Sequence, residues 1–253
     1  MSEAHDLPVY GIDLEAIALR LEGLEETIIH HLIERAQYRL NATVYRPGES
    51  GFSGFKNESL LDIRLLSHER MDAEFGRFCV PEERPFNAGL PAPRRTVNLP
   101  VYPLSLEDFD SVNLTGDIKQ RYIAFLPAFV REGDDGQYGS TIEHDVFALQ
   151  AIARRVHYGA LFVAESKFRE KPDQYRALAA KHDRTAIADL LTRREVEERI
   201  IARVREKVKV VQAAVNRRVR ALIDPEAVLG FYRDTIIPLT KEGEVRYLLA
   251  RRQ

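Results

Sequence analysis

Arg154-Arg155-Val156-His157-Tyr158-Gly159-Ala160-Leu161-Phe162-Val163-Ala164-Glu165-Ser166-Lys167-Phe168 is the stretch on which the reading of this chain turns. It is a helical, largely apolar segment carrying two arginines and a lysine. Cations on mostly apolar helix faces are costly to bury without anionic partners. A small dianionic or polycarboxylate ligand would supply them. Arg155 can grip a carboxylate with two parallel bonds, and Lys167 can act as a point donor to an oxygen. By spacing alone the plainer reading, an arginine and a lysine on a solvated face, is the better one.

Outward from this segment, helical periodicity dominates. Leu14, Ile17, Leu21, Leu24, Ile28 and Leu32 recur every three or four residues, which predicts a long amphipathic helix with Asp13 as its N-cap. Further helices are expected from about Glu58 to Phe78 and over 116–130. Ser140 or Thr141 should cap the signature helix, which runs to about Phe168. Shorter helices are expected near 173–181 and 184–190, and Thr192 should cap one reaching Val211. Asp224-Pro225-Glu226 combines a capping aspartate with proline at the first helical position, opening a last helix that ends near Leu249. Pro238 should bend that helix or replace its first part with a turn. Six of the twelve prolines fall between Pro81 and Pro103, so residues 80–104 are expected to form an irregular internal connection. Few runs alternate apolar and polar residues. The expectation is an all-α, single-domain multi-helix bundle spanning 1–253.

Bulk properties exclude several classes. A net charge of −2 lacks the basic excess of a nucleic-acid binder. No apolar run approaches the ~18–20 residues of a membrane span. The N-terminal stretch MSEAHDLPVYGIDLEA has no apolar signal core, so a cytoplasmic location is expected. The single cysteine, Cys79, rules out an internal disulfide and a cysteine zinc cluster.

Other constellations are weak by spacing. Arg193 and Glu197 are four apart on one helix face, as are Thr240 and Glu244. A surface salt bridge and a capping hydroxyl beside a solvated acid account for them. His157 reads as a helix-packing histidine rather than a metal ligand, and His30 and His31 point to different faces. Gly133–Gly139 is glycine-rich, but its two aspartates have the wrong sign for a phosphate cradle. Arg217, Arg218 and Arg220 read as a solvated basic run.

The signature segment resembles a helix of the fungal and plant type of chorismate mutase. Four further blocks resemble that family in order: Leu24-Glu25-Glu26-Thr27-Ile28-Ile29-His30-His31-Leu32-Ile33-Glu34-Arg35-Ala36; Arg77-Phe78 with Pro81-Glu82-Glu83-Arg84-Pro85-Phe86; Tyr138-Gly139-Ser140 before Asp145; and Ile236-Ile237-Pro238-Leu239-Thr240-Lys241-Glu242-Gly243-Glu244-Val245-Arg246-Tyr247-Leu248-Leu249. The resemblance implies an all-helical homodimer that rearranges chorismate to prephenate without cofactor or metal, in aromatic amino-acid biosynthesis. By the same resemblance, Arg155 binds a carboxylate and Lys167 faces the ether oxygen. Glu197 takes the ring hydroxyl, Thr240 supports a carboxylate and Glu244 approaches the ether oxygen.

Three departures matter. The family's first-helix arginine, seven residues before Glu25, is replaced by Ala18. Arg20 lies about 200° around the helix from it, on the wrong side. One turn before Glu197, where the family has a shorter amide, stands Arg193, which is expected to replace the missing cation. Arg155 and Lys167 are twelve apart instead of eleven, about 120° rather than 20° around the axis. A π-bulge over Gly159-Ala160-Leu161 would absorb the extra residue. The resemblance also implies an effector site at Gly76, Arg77, Gly139, Ser140 and Glu143, here degenerate. Gly76 stands where an arginine pairs with Arg77, and Glu143 where a threonine reads the effector. The alternative to an active enzyme is a catalytically silent protein of this fold, binding a partner or a related small acid.

Overall fold

Asp13 starts the first helix, its carboxylate accepting from the backbone N–H groups of Glu15 and Ala16 at 3.0 Å each. In the computed structural model, residues 12–213, 215–216 and 218–252 are described; the first eleven residues and Arg217 of the basic run lie outside them. The helices are α1 (Leu14–Arg35), α2 (Leu60–Glu74), α3 (Thr115–Phe129), α4 (Tyr138–Tyr158), α5 (Ala164–Glu170), α6 (Pro172–Ala180), α7 (Arg184–Leu191), α8 (Arg194–Ala213), α9 (Pro225–Phe231) and α10 (Ile237–Ala250). No strand occurs among the described residues. No described helix is long and apolar enough to cross a membrane.

Helices α1 and α4 lie against each other and run in opposite directions. Leu21 meets Gly159 at one end, and Arg35 meets Asp145 at the other. Ile28, Ile29 and Leu32 of α1 pack with Leu149, Ile152 and Val156 of α4, all fully buried. Leu61 and Leu65 from α2, before the proline-rich connection, share that core with Ile118 and Leu126 of α3, after it. The connection itself is anchored. The buried Glu69 carboxylate accepts from the backbone of Phe86 and Asn87 at 2.7 and 2.9 Å and from the Asn87 amide at 2.7 Å.

Two resemblance blocks meet in a buried ion pair. Arg35 Nε donates to Asp145 at 2.7 Å, and the hydroxyls of Tyr45 and Tyr122 donate to the same carboxylate at 2.6 and 2.8 Å. The remaining guanidinium hydrogens reach the carbonyls of Tyr38, Arg39 and Leu40 and the Tyr45 hydroxyl. Burial raises the pKa of the Asp145 carboxyl, and the matched donors around it offset part of the cost of burying the pair.

Several boundaries differ from the sequence reading. The signature helix begins at Tyr138, with Gln137 before it, rather than at a Ser140 or Thr141 cap. Thr141 instead accepts from the Asn41 amide inside the fold. Thr192 closes α7, donating to the Ala188 carbonyl at 2.7 Å, and α8 starts after it. Helix α2 stops at Glu74 and was preceded by an unforeseen capping box, Ser59 with Asp62. Asp224 and Pro225 do open α9. Through Pro238 the chain stays helical rather than opening into a non-helical turn. A π-helical turn, Tyr232–Ile236, joins α9 to α10. The Asp234 carbonyl, four residues before the proline, is taken by Arg121 Nη1 at 3.0 Å.

Candidate active site

A second π-helical turn, Gly159–Val163, joins α4 to α5. It sits where the extra residue of the signature segment lies. A π turn inserts one residue without ending the helix. The twelve-residue spacing from Arg155 to Lys167 therefore presents both side chains to the same side, as eleven would in a plain α-helix. Gly159 permits the close packing there: a Cβ on it would stand 2.7 Å from Thr240 Cγ2. A Cβ on Gly243 would likewise stand 2.5 Å from that of Ala160. The missing side chains let α10 lie directly on the π turn.

Arg155, Lys167, Arg193, Glu197, Thr240 and Glu244 all line one cavity of about 370 Å³. That volume falls in the range of small-molecule sites, about 300–1,000 Å³. Ala18 is in the wall, whereas Arg20 is not. Apolar walls come from Ile17, Leu21, Val163, Leu191, Ile200 and Ile237. The residues are drawn from α1, α4, the π turn, α5, α7, α8 with Arg193 just before it, and α10, so the cavity exists only once those elements assemble.

The polar groups are tightly coupled. Arg155, 2% exposed, donates from Nη1 to Thr240 Oγ1 at 2.9 Å, and its Nη2 is 3.7 Å from Glu25. Thr240 in turn donates to the Ile236 carbonyl at 2.7 Å. Glu25 is itself held by Arg203, which donates from Nε and Nη2 at 3.0 and 2.8 Å. Arg155 Nε is buried without a partner among the described residues. Lys167 Nζ donates to Glu244 Oε2 and to the Leu191 carbonyl, both at 2.9 Å. Burial pushes the Glu244 carboxyl above the usual carboxylate range, against the pull of Lys167, Lys241 and Arg155.

The Arg193–Glu197 pair expected from helical spacing does not form. Glu197 pairs with Lys241 at 2.7 Å, and Arg193 pairs with Glu170 at 2.8 Å. Lys241 and Glu25 both lay inside quoted blocks, but spacing alone gave them no role. His157 is buried, accepts the Leu114 N–H at 2.9 Å, and is pushed down to about 3, chiefly by burial. It is a packing residue, as read from the sequence. Among the described residues no three His, Cys, Asp or Glu side chains are placed to hold a metal ion.

The effector-site residues lie elsewhere. Arg77 is engaged by Asp72 at 2.9 Å, Glu83 at 3.1 Å and Gln150 at 2.7 Å. Glu143 pairs with Arg64 at 3.2 Å. Gly139 and Ser140 lie in the first turn of α4. Gly76 has φ 85°, and a Cβ there would stand 2.5 Å from Val97. Both the positive φ and that approach disfavour the arginine that the resemblance would place there.

No protein-family model matches the chain. Chorismate mutase 1, chloroplastic, of Petunia hybrida is 40% identical over 247 residues, covering 94% of this chain and 75% of that protein. The chorismate mutase of Emericella nidulans is 38% identical over 257 residues, covering 95% and 93%. The crystal structure of Aro7p chorismate mutase from Candida albicans, in complex with L-Trp, superposes with a TM-score of 0.88 at 30% identity, covering 97% of this chain and 95% of that one. With this identity over nearly its whole length, and with the same helical fold, the chain belongs to the fungal and plant type of chorismate mutases.

Proposed function

We propose that the chain, as one helical domain, converts chorismate to prephenate in aromatic amino-acid biosynthesis. The observation that carries the proposal is the convergence of Arg155, Lys167, Glu197, Thr240 and Glu244 on one cavity. The reaction is an intramolecular [3,3] rearrangement: the ether C–O bond breaks as a C–C bond forms at the far end of the enolpyruvyl unit. No group leaves, and no nucleophile or cofactor is required. Catalysis then consists of holding the side chain over the ring and stabilising the charge that separates as the ether breaks.

Arg155, steadied by Thr240, receives one carboxylate. Lys167 faces the ether oxygen as a fixed cation. Glu244 can donate to the same oxygen only when protonated, and its burial favours that form. Glu197 accepts from the ring hydroxyl, and Lys241 holds it in place. The apolar wall excludes water from the ring. Arg193 stands at the cavity in an ion pair with Glu170. Assembly as a homodimer and a cytoplasmic location belong to the same reading.

The test is loss of chorismate absorbance on incubation with purified protein, with prephenate as product. Turnover should persist in EDTA. Ala18 favours the second reading, a silent protein that binds a related acid. Chorismate that binds without rearranging would establish it.

A further inference from the structure

Five cations line the cavity, and four of them are already matched. Arg155 has Glu25, Lys167 has Glu244, Lys241 has Glu197 and Arg193 has Glu170. The fifth is Arg199. Its Nε bonds the Glu195 carbonyl at 3.3 Å, and among the described residues it has no carboxylate partner. Glu15, an acid on the same rim, forms no ion pair with it.

The packing of α1 on α8 says where Arg199 stands. Arg203 Nη1 meets Glu22 at 2.8 Å, and Lys207 Nζ meets Glu26 at 2.9 Å. From the first pair to the second, each helix advances four residues, so α1 and α8 run parallel, turn against turn. One turn earlier on α8 is Arg199. One turn earlier on α1 is Ala18. Both line the cavity, and the alanine methyl leaves room beside it for a guanidinium.

We propose that Arg199 binds the second carboxylate of the substrate, from α8 across the seam at Ala18. The proposal rests on the reading of the cavity as the chorismate site. A dicarboxylate needs two cations, and a carboxylate left unpaired in a partly closed site is costly. Arg193, the residue that spacing nominates for this task, must first leave Glu170. Arg199 needs to leave only a backbone carbonyl. The second cation thus reaches the cavity from α8 rather than α1.

Steady-state kinetics with chorismate test the assignment. A contact made equally in ground and transition states acts on KM rather than kcat. Arg199→Ala should raise KM about ten- to a hundredfold and leave kcat within about fivefold. Its thermal unfolding should match the wild type, because the exposed side chain holds no carboxylate of the fold. Ala18→Arg in the Arg199→Ala background should recover most of the KM, since it returns a cation to the same place. Arg193→Ala should cost less than Arg199→Ala. An active wild type whose KM moves less than twofold in Arg199→Ala overturns the inference alone. A wild type that does not turn chorismate over overturns the reading of the cavity and the inference with it.

Discussion

Lys167 Nζ lies 2.9 Å from Glu244 Oε2, joining α5 to α10 across the cavity wall. The two side chains are 12% and 9% exposed, so water screens their attraction little. The pair leaves a cation and a protonatable acid side by side in the cavity wall. Lys167→Ala should lower kcat/KM by about two orders of magnitude or more, the scale for removing one preorganised donor. A loss under tenfold would mean that Lys167 does not act on the reacting oxygen.

Glu244 should impose an acid-favoured pH profile. Its folded-state pKa is raised, chiefly by burial. The donating form is therefore fully present at low pH and is lost as pH rises through that elevated value. Glu244→Gln donates at any pH, so its rate should vary less across the neutral range. A variant profile that parallels the wild type would remove Glu244 from the chemistry.

Gly159→Ala should damage the site without reaching the substrate itself. The added methyl would stand 2.7 Å from Thr240 Cγ2 and 3.6 Å from Arg155 Nη1. Either α10 or the π turn must shift, and the Arg155–Thr240 bond goes with it. A shift of about 1 Å at a positioned group costs on the order of a hundredfold in rate. Full activity in Gly159→Ala would show that the close approach is not needed.

Asp145→Ala should destabilise the fold rather than disable the cavity. It strands a buried Arg35 and two tyrosine hydroxyls. Breaking a buried pair on one side costs on the order of 3–5 kcal/mol, read as a lower midpoint in chemical denaturation. A midpoint unchanged in Asp145→Ala would mean that water replaces the carboxylate.

Tyrosine and tryptophan should leave the rate unchanged. Arg77 is already held by Asp72, Glu83 and Gln150, and Glu143 by Arg64. An amino-acid effector would have to break these pairs before gaining its own. Millimolar tyrosine that slows turnover, or tryptophan that speeds it, would show that the network opens.

Local rules carried much of the fold. Asp13, the apolar spacing of α1 and the Asp224-Pro225 start were legible because capping and periodicity depend on neighbours in the chain. The extra residue in the signature segment was legible as a count, and it nominated a π turn at Gly159, Ala160 and Leu161, where one occurs. Pairing was not legible. Helical spacing set Arg193 beside Glu197, yet Glu170 and Lys241 took them, because those partners arrive from other helices. Thr192 read as a cap for the helix after it but closes the one before, since a hydroxyl can serve either end. The register of α1 against α8, marked by the Arg203–Glu22 and Lys207–Glu26 pairs, is likewise something that no spacing within either helix reports. Periodicity says which face of a helix is turned inward. Which residue it meets there depends on the register of two helices far apart in sequence, and that register is settled only when they pack.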